Sequence, residues 1–328
     1  MKISDMLFNR EGRVRSVWRL AIFAVTTIAL TLFLFLVTAL GLAVILPRPT
    51  VEWFLFKSDW GFVVQSVFLF FPAALFGWAC GYLLEDLPWR ALGWALHRGW
   101  MKDVLFGLLV GAASVGVAAA AGAVFGGYRF SVPAQFDTSA MAKTFFSSCI
   151  IFMLGAASEE MLFRGYALQT LMRSWPLWVA LIPVSVPFAL GHLWNPNVVP
   201  GFTFANTVLA GVWLAVAYWR TRSLWFPFGI HWGWNFMQGA ILGSPVSGIT
   251  KITPAPLLHF VDKGPAWIGG GTYGIEGGAA CTLALIISTL FIWRVPLVSA
   301  TPEMKRFTDG ENPLAATRGS EPPAVAGG

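Results

Sequence analysis

Apolar residues in this chain fall in long blocks separated by short polar segments. The blocks cover 20–46, 62–84, 104–125, 145–172, 176–193, 202–219, 226–242 and 278–298. A hydrocarbon core of ~30 Å is crossed by ~20 helical residues, so each block is long enough to span it or nearly so. The pattern predicts an all-α, polytopic integral membrane protein with about eight transmembrane helices. The fourth, fifth and seventh blocks contain polar residues or prolines, which makes their ends less sharp.

The segments between the blocks complete the layout. Residues 1–19 form a basic leader with Leu7, Phe8, Val14, Val17 and Trp18 interspersed. It reads as a topology-fixing cytoplasmic segment. The first block is long and lacks a small-residue cleavage site, so it reads as a retained anchor. Residues 20–298 form one membrane-embedded unit. Residues 299–328 are poor in large apolar residues and rich in Pro, Gly and Ala, which predicts a disordered cytoplasmic tail. The Gly-rich run IGGGTYGIEGG lies within 243–277; with no strand before it, it is no phosphate loop and reads as a flexible surface connection. Gly107 and Gly111, like Gly122 and Gly126, have the four-residue spacing that lets membrane helices approach closely. No internal repeat of the transporter kind stands out.

Composition removes the soluble alternatives. Hydrophobic residues make up 56% of the chain, charged residues 12%, and the mean hydropathy is +0.67. The net charge of +6 does not imply a nucleic-acid partner, because Lys and Arg are scattered over the short connections instead of forming one basic face. They sort by side. Arg10, Arg13, Arg15 and Arg19 fall on one side with Arg90, Arg98, Lys102, Arg173, Arg220, Arg222, Arg294, Lys305 and Arg306. Arg48, Lys57, Arg129, Lys143, Lys251 and Lys263 fall on the other. The excess places both termini in the cytoplasm of a multi-pass cell-membrane protein. Cys80, Cys149 and Cys281 sit in three different blocks and read as small buried hydrophobes.

Against this background, a few polar residues are out of place. An ionisable side chain inside a span costs ~2.5–3.5 kcal/mol on insertion scales, so a cluster needs mutual pairing or a function. The fourth block holds Ser158, Glu159, Glu160 and Arg164. Glu160 and Arg164, four residues apart, share a helix face and can pair, whereas Glu159 points ~100° away and has no local partner. The fifth block ends with Phe188 and His192 one turn apart, and the seventh carries His231 and Asn235 at the same spacing. His97 and His259 lie in connections. At 1.5 Å per residue from the turn around Ser174, Glu159 lies ~22 Å and His192 ~27 Å away, so antiparallel helices bring them to neighbouring levels.

A carboxylate and a histidine in a wet pocket can activate water by general base catalysis. His231 and Asn235 on one helix face can supply donors to a developing oxyanion. No G-x-S-x-G context appears and the cysteines lack an evident base, which disfavours a covalent nucleophile.

At these residues the sequence resembles the CAAX prenyl proteases and bacteriocin-processing enzymes, the CPBP or Abi family of intramembrane glutamic endopeptidases. Its paired glutamates and arginine match Glu159, Glu160 and Arg164; its Phe-x-x-x-His matches Phe188 and His192; its His-x-x-x-Asn matches His231 and Asn235. The three motifs occur in the family order within 145–242. The resemblance implies a glutamate-dependent intramembrane endopeptidase in which Glu159 and His192 activate water, His231 and Asn235 stabilise the oxyanion, and Glu160 and Arg164, with Phe188, support the site. It also implies a peptide or membrane-protein substrate, prenylated or not, alongside the membrane lipids.

Other functions use the same residues. Glu159, His192 and His231 are a possible three-ligand zinc set, although no H-E-x-x-H helix is present and asparagine is an unusual zinc partner. Carboxylates and histidines inside a membrane also build proton relays in transporters. A non-catalytic immunity or partner-binding protein is the third alternative.

Overall fold

The computed structural model describes residues 3–10, 12–135, 137–198 and 201–308. The helices that matter here are α1 (Ser16–Ile45), α2 (Arg48–Lys57), α3 (Asp59–Glu85), α4 (Trp100–Gly126), α5 (Thr138–Met172), α6 (Leu177–Trp194), α7 (Phe202–Thr221), α8 (Trp225–Phe236), α9 (Ala279–Arg294) and α10 (Pro302–Thr308). Among the described residues, six helices are long and apolar enough to cross a membrane: α1 and α3 to α7. The all-α, polytopic reading holds, and the last two of the eight apolar blocks form shorter helices. The seventh block becomes the 12-residue α8 followed by a π-turn, Met237–Ile241, and the eighth becomes the 16-residue α9. Hydropathy extends both blocks through residues whose backbone has already left the α-helix. α9 ends one residue before Val295-Pro296, where proline forbids continuation.

Local chemistry sets the other boundaries. The Ser58 side chain caps α3 by accepting from the Gly61 amide at 3.0 Å, and Asp137 caps α5 by accepting from Ala140 at 2.9 Å. α7 stops where Arg222 takes a left-handed backbone, φ 54°. Val25, Leu32, Phe33, Leu36 and Val44 of α1 are all exposed, as residues facing lipid are.

Two buried cores hold the bundle. One joins α1, α3, α5 and α6 around Phe23, Met161, Tyr166, Leu168 and Val184; the other joins α4, α7, α8 and α9 around Val115, Trp213, Leu214, Ile230 and Leu285. The Gly107–Gly111 spacing is a true helix-packing contact. A Cβ on Gly111 would lie 2.1 Å from the Ile230 carbonyl oxygen, and one on Gly233 would lie 2.4 Å from that of Leu108, so α4 and α8 meet backbone to backbone. Gly122 instead makes room for the Tyr128 ring. β1 (Tyr128–Ser131) and β2 (His259–Asp262) pair antiparallel, with Tyr128 opposite Asp262, and fasten 243–277 to the end of α4.

Charged groups tie together the opposite end of the bundle. Glu85 of α3 accepts from Arg173 at 2.8 and 2.9 Å and pairs with Arg19 of α1 at 2.5 Å. Arg90 pairs with Glu303 of α10, and Arg220 donates to the Val295 carbonyl. α10 packs with Met304 buried, so the expected disordered tail is helical over 302–308, and residues 309–328 lie outside the described residues.

His97 is buried at this end, with Nε2 3.1 Å from Ser223 Oγ and 3.4 Å from Asp103 Oδ2. The hydrogen bond to Asp103 raises its pKa above the ordinary 6.5, outweighing burial, which acts the other way. A raised folded-state value means that stabilisation is fully present below the unfolded pKa and is lost as pH rises through the folded one. The thermal midpoint in detergent is therefore expected to fall as pH climbs above 6.5, and His97→Gln should flatten that slope. An unchanged slope in the variant would show that other groups set it.

Candidate active site

The site is built where α5, α6 and α8 face one another. On α5, Glu160 and Arg164 pair at 3.2 Å in complete burial, with side-chain exposures of 0% and 1%. Three residues past Glu160 the helix widens into a π-turn, Phe163–Ala167, which contains Arg164 and has Gly165 at ψ −125°. Such turns re-aim side chains and free backbone groups, and they recur at functional positions in helices. Arg164 also donates to the Gly211 carbonyl of α7 at 3.1 Å and lies over the Phe188 ring of α6, 4.6 Å from its centre. One guanidinium thereby fixes α5 against α6 and α7.

Glu160 does more than pair with Arg164. Its Oε1 is 3.0 Å from His231 Nδ1, a contact across 71 residues of chain that the local spacing does not show. The other imidazole nitrogen, Nε2, lies 3.7 Å from Glu159 Oε2. His231 thus sits between the two glutamates. Glu159 is the more accessible, 28% exposed against 0% for Glu160, and its Oε2 has no hydrogen-bond partner. The ~100° offset between adjacent helical residues separates them, turning one inward to the arginine and the other to the cavity.

His192 follows at the end of α6, where the helix tightens to a 3₁₀ turn, His192–Trp194. Its Nδ1 contacts the Phe188 carbonyl at 2.8 Å, and the Phe188 and His192 rings lie 4.7 Å apart. That contact orients the imidazole and leaves Nε2 for the cavity. Glu159, His192, His231, Asn235 and Phe188 all line one cavity of about 390 Å³. Its remaining wall is largely apolar and includes Phe62, Leu69, Ile151, Phe152 and Ile249.

Among the described residues, no three His, Cys, Asp or Glu side chains have an arrangement that would hold a metal ion.

The segment 243–277 is not a loose surface connection. Val246, Ser247, Ile249 and Ile252 contribute to the cavity wall, and Tyr273 and Ile275 are buried. Glycine serves close approach here. Gly274 has φ +92°, and a Cβ on it would meet the Pro245 carbonyl oxygen at 2.4 Å. Glu276 anchors the arrangement: Oε1 accepts from Trp234 Nε1 at 3.0 Å, and Oε2 accepts from the Ser247 amide at 2.5 Å and hydroxyl at 3.0 Å. Neither Ser247 nor Glu276 stood out in the sequence. The available signal was a lone carboxylate within a glycine run.

A family model described as Type II CAAX prenyl endopeptidase Rce1-like matches residues 141–237. This chain carries an Rce1-like domain of the CPBP family. The matched segment runs from the first turn of α5 to the start of the π-turn after α8 and contains Glu159, Glu160, Arg164, Phe188, His192, His231 and Asn235. The matched segment therefore supplies the candidate catalytic groups of the cavity, while α3 and 243–277 complete its wall from outside the match. The matched family is one of endopeptidases, and the apolar helices make this chain a multi-pass membrane protein. Comparison with curated proteins and with solved structures finds no match.

Proposed function

We propose that this chain is an intramembrane endopeptidase that hydrolyses a peptide bond with water activated by Glu159 and His192. The convergence of Glu159, His192, His231 and Asn235 on one cavity inside the Rce1-like domain is the observation that carries this reading. Glu159 takes a proton from water as the water oxygen bonds to the scissile carbonyl carbon. The carbonyl π-electrons move to oxygen, and that oxyanion accepts from Asn235 Nδ2 and His231 Nε2. An Nδ1–H donated to Glu160 leaves Nε2 a donor only when His231 is the imidazolium, so Glu160 and His231 act as one unit. His192 orients the water. The proton held by Glu159 then passes to the amide nitrogen, the C–N bond breaks, and two peptides leave.

The apolar wall suits a substrate with an apolar group beside the scissile bond, whether a prenyl chain or a hydrophobic side chain. The end of the bundle that carries Arg19, Arg90, Arg173 and α10 faces the cytoplasm in this reading, by the distribution of cations.

The test uses the full chain in proteoliposomes with farnesylated and unmodified peptide libraries in H₂¹⁸O. Cleavage should place ¹⁸O in the new carboxyl group, persist after chelator treatment and gain nothing from zinc. Asn235→Ala should lower kcat by ~10²–10³-fold with little change in KM, since the oxyanion exists mainly in the transition state. Loss of activity to chelator with recovery on zinc would make the histidines ligands. Failure to cleave any peptide in either library would overturn the peptidase reading.

A further inference from the structure

Behind the His231–Asn235 face lies a second chamber of about 50 Å³. It shares Phe188, His192, His231, Asn235 and Ser247 with the main cavity, so the two volumes adjoin at the candidate catalytic groups. Asn206, Thr207 and Glu276 add polar atoms to its wall. Trp213, Leu214, Cys281 and Leu285 close the far side, within the second core. Glu276 braces the wall on the side of 243–277, where its carboxylate holds Ser247 and Trp234 and its backbone carbonyl accepts from Asn206 at 2.8 Å.

Size and lining identify the occupant class. A water molecule needs roughly 10–15 Å³ of such volume and two to four polar partners, so the chamber has room for about three to five waters. It is too small for a ligand of the 300–1,000 Å³ class. Hydroxyl and imidazole groups keep acceptor or donor capacity for ordered water beyond one protein partner, and Asn235, Thr207, Ser247, His192 and His231 all line this space.

We propose that this chamber is the internal water store of the enzyme, supplying the nucleophile to Glu159 while a peptide and lipid fill the main cavity. The inference rests on the hydrolytic reading above. Each turnover consumes one water, yet a substrate seated against the apolar wall excludes bulk solvent from the front of the site. The chamber reaches the reacting groups from behind, past His231 and Asn235, and its supply is independent of the substrate's position.

Synchrotron hydroxyl-radical footprinting of the full chain in nanodiscs, without substrate, reads the water directly. Cys281, 1% exposed, and Trp234, 4% exposed, should be oxidised at short exposure. Cys80, 5% exposed and outside the chamber wall, should not. Ala210→Leu and, independently, Thr207→Leu fill the space from α7 and should protect Cys281 and Trp234. On any peptide the wild type cleaves, both should lower kcat at least ~10-fold with KM and residue preference unchanged. Labelling of Cys281 no greater than that of Cys80 would show a dry chamber and overturn the proposal. Protection without loss of kcat would do the same, and so would a change in KM or residue preference, which would mark a side-chain subsite. The parent reading fails separately: Glu159→Gln with wild-type cleavage removes it whatever the footprint shows.

Discussion

Glu159→Gln is expected to abolish measurable cleavage while leaving folded yield and thermal midpoint in detergent close to wild type. Glutamine preserves the volume and most of the contacts of the side chain but cannot accept the proton from water, and general base catalysis alone contributes ~10²–10⁴-fold. Little of the fold rests on this carboxylate. It is 28% exposed, and its nearest charged partner, His231, is 3.7 Å away, beyond hydrogen-bond distance. The pairs that lock the bundle, Glu160 with Arg164 and Glu85 with Arg19 and Arg173, lie elsewhere. Peptide cleavage in proteoliposomes and a melting curve on the same preparation check both halves. A variant that cleaves at the wild-type rate would remove Glu159 from the chemistry; one that fails to fold would make it structural.

Much of this architecture was legible in the chain because it depends on local periodicity. The apolar blocks fall on helices, and the four-residue spacings of Glu160 with Arg164 and of Gly107 with Gly111 become an ion pair and a helix contact. Similar distances from the turn around Ser174 bring Glu159 and His192 to one cavity, as antiparallel helices allow. What the sequence hid was of two kinds. Pairing between distant segments leaves no local trace, so the Glu160–His231 contact and the grip of Glu276 on Ser247 and Trp234 appear only in the fold.

The second kind is backbone geometry. Hydropathy sums side-chain transfer free energies and does not register the π-turns at Phe163–Ala167 and Met237–Ile241, the first of which begins three residues past Glu160. Glycine misleads for a related reason. The same lack of a side chain that frees an isolated chain lets a packed one bring backbone to backbone, as Gly278 does against the Ile268 carbonyl, where a Cβ would lie 2.1 Å away. A glycine run beside a membrane domain thus reads as a loose loop until the opposing surface is known.

The contact that the sequence hid changes what Glu160 is expected to do. From its spacing to Arg164, Glu160→Ala should only destabilise. A buried arginine left unpaired costs about 3–5 kcal/mol, which lowers the melting temperature sharply. Because Glu160 Oε1 also contacts His231 Nδ1 at 3.0 Å, the same substitution should reduce kcat even in molecules that remain folded. The double variant Glu160→Leu with Arg164→Met separates the two roles. Replacing a buried ion pair by apolar residues of similar size is often neutral or stabilising, so the pair should recover most of the lost melting temperature. It restores no acceptor to His231, whose imidazole is then free to turn from the orientation that aims Nε2 at the cavity. Cleavage should therefore stay at least ~10²-fold below wild type in a protein that melts nearly normally. Recovery of both properties together would mean that Glu160 serves the fold alone and that His231 is held by other contacts.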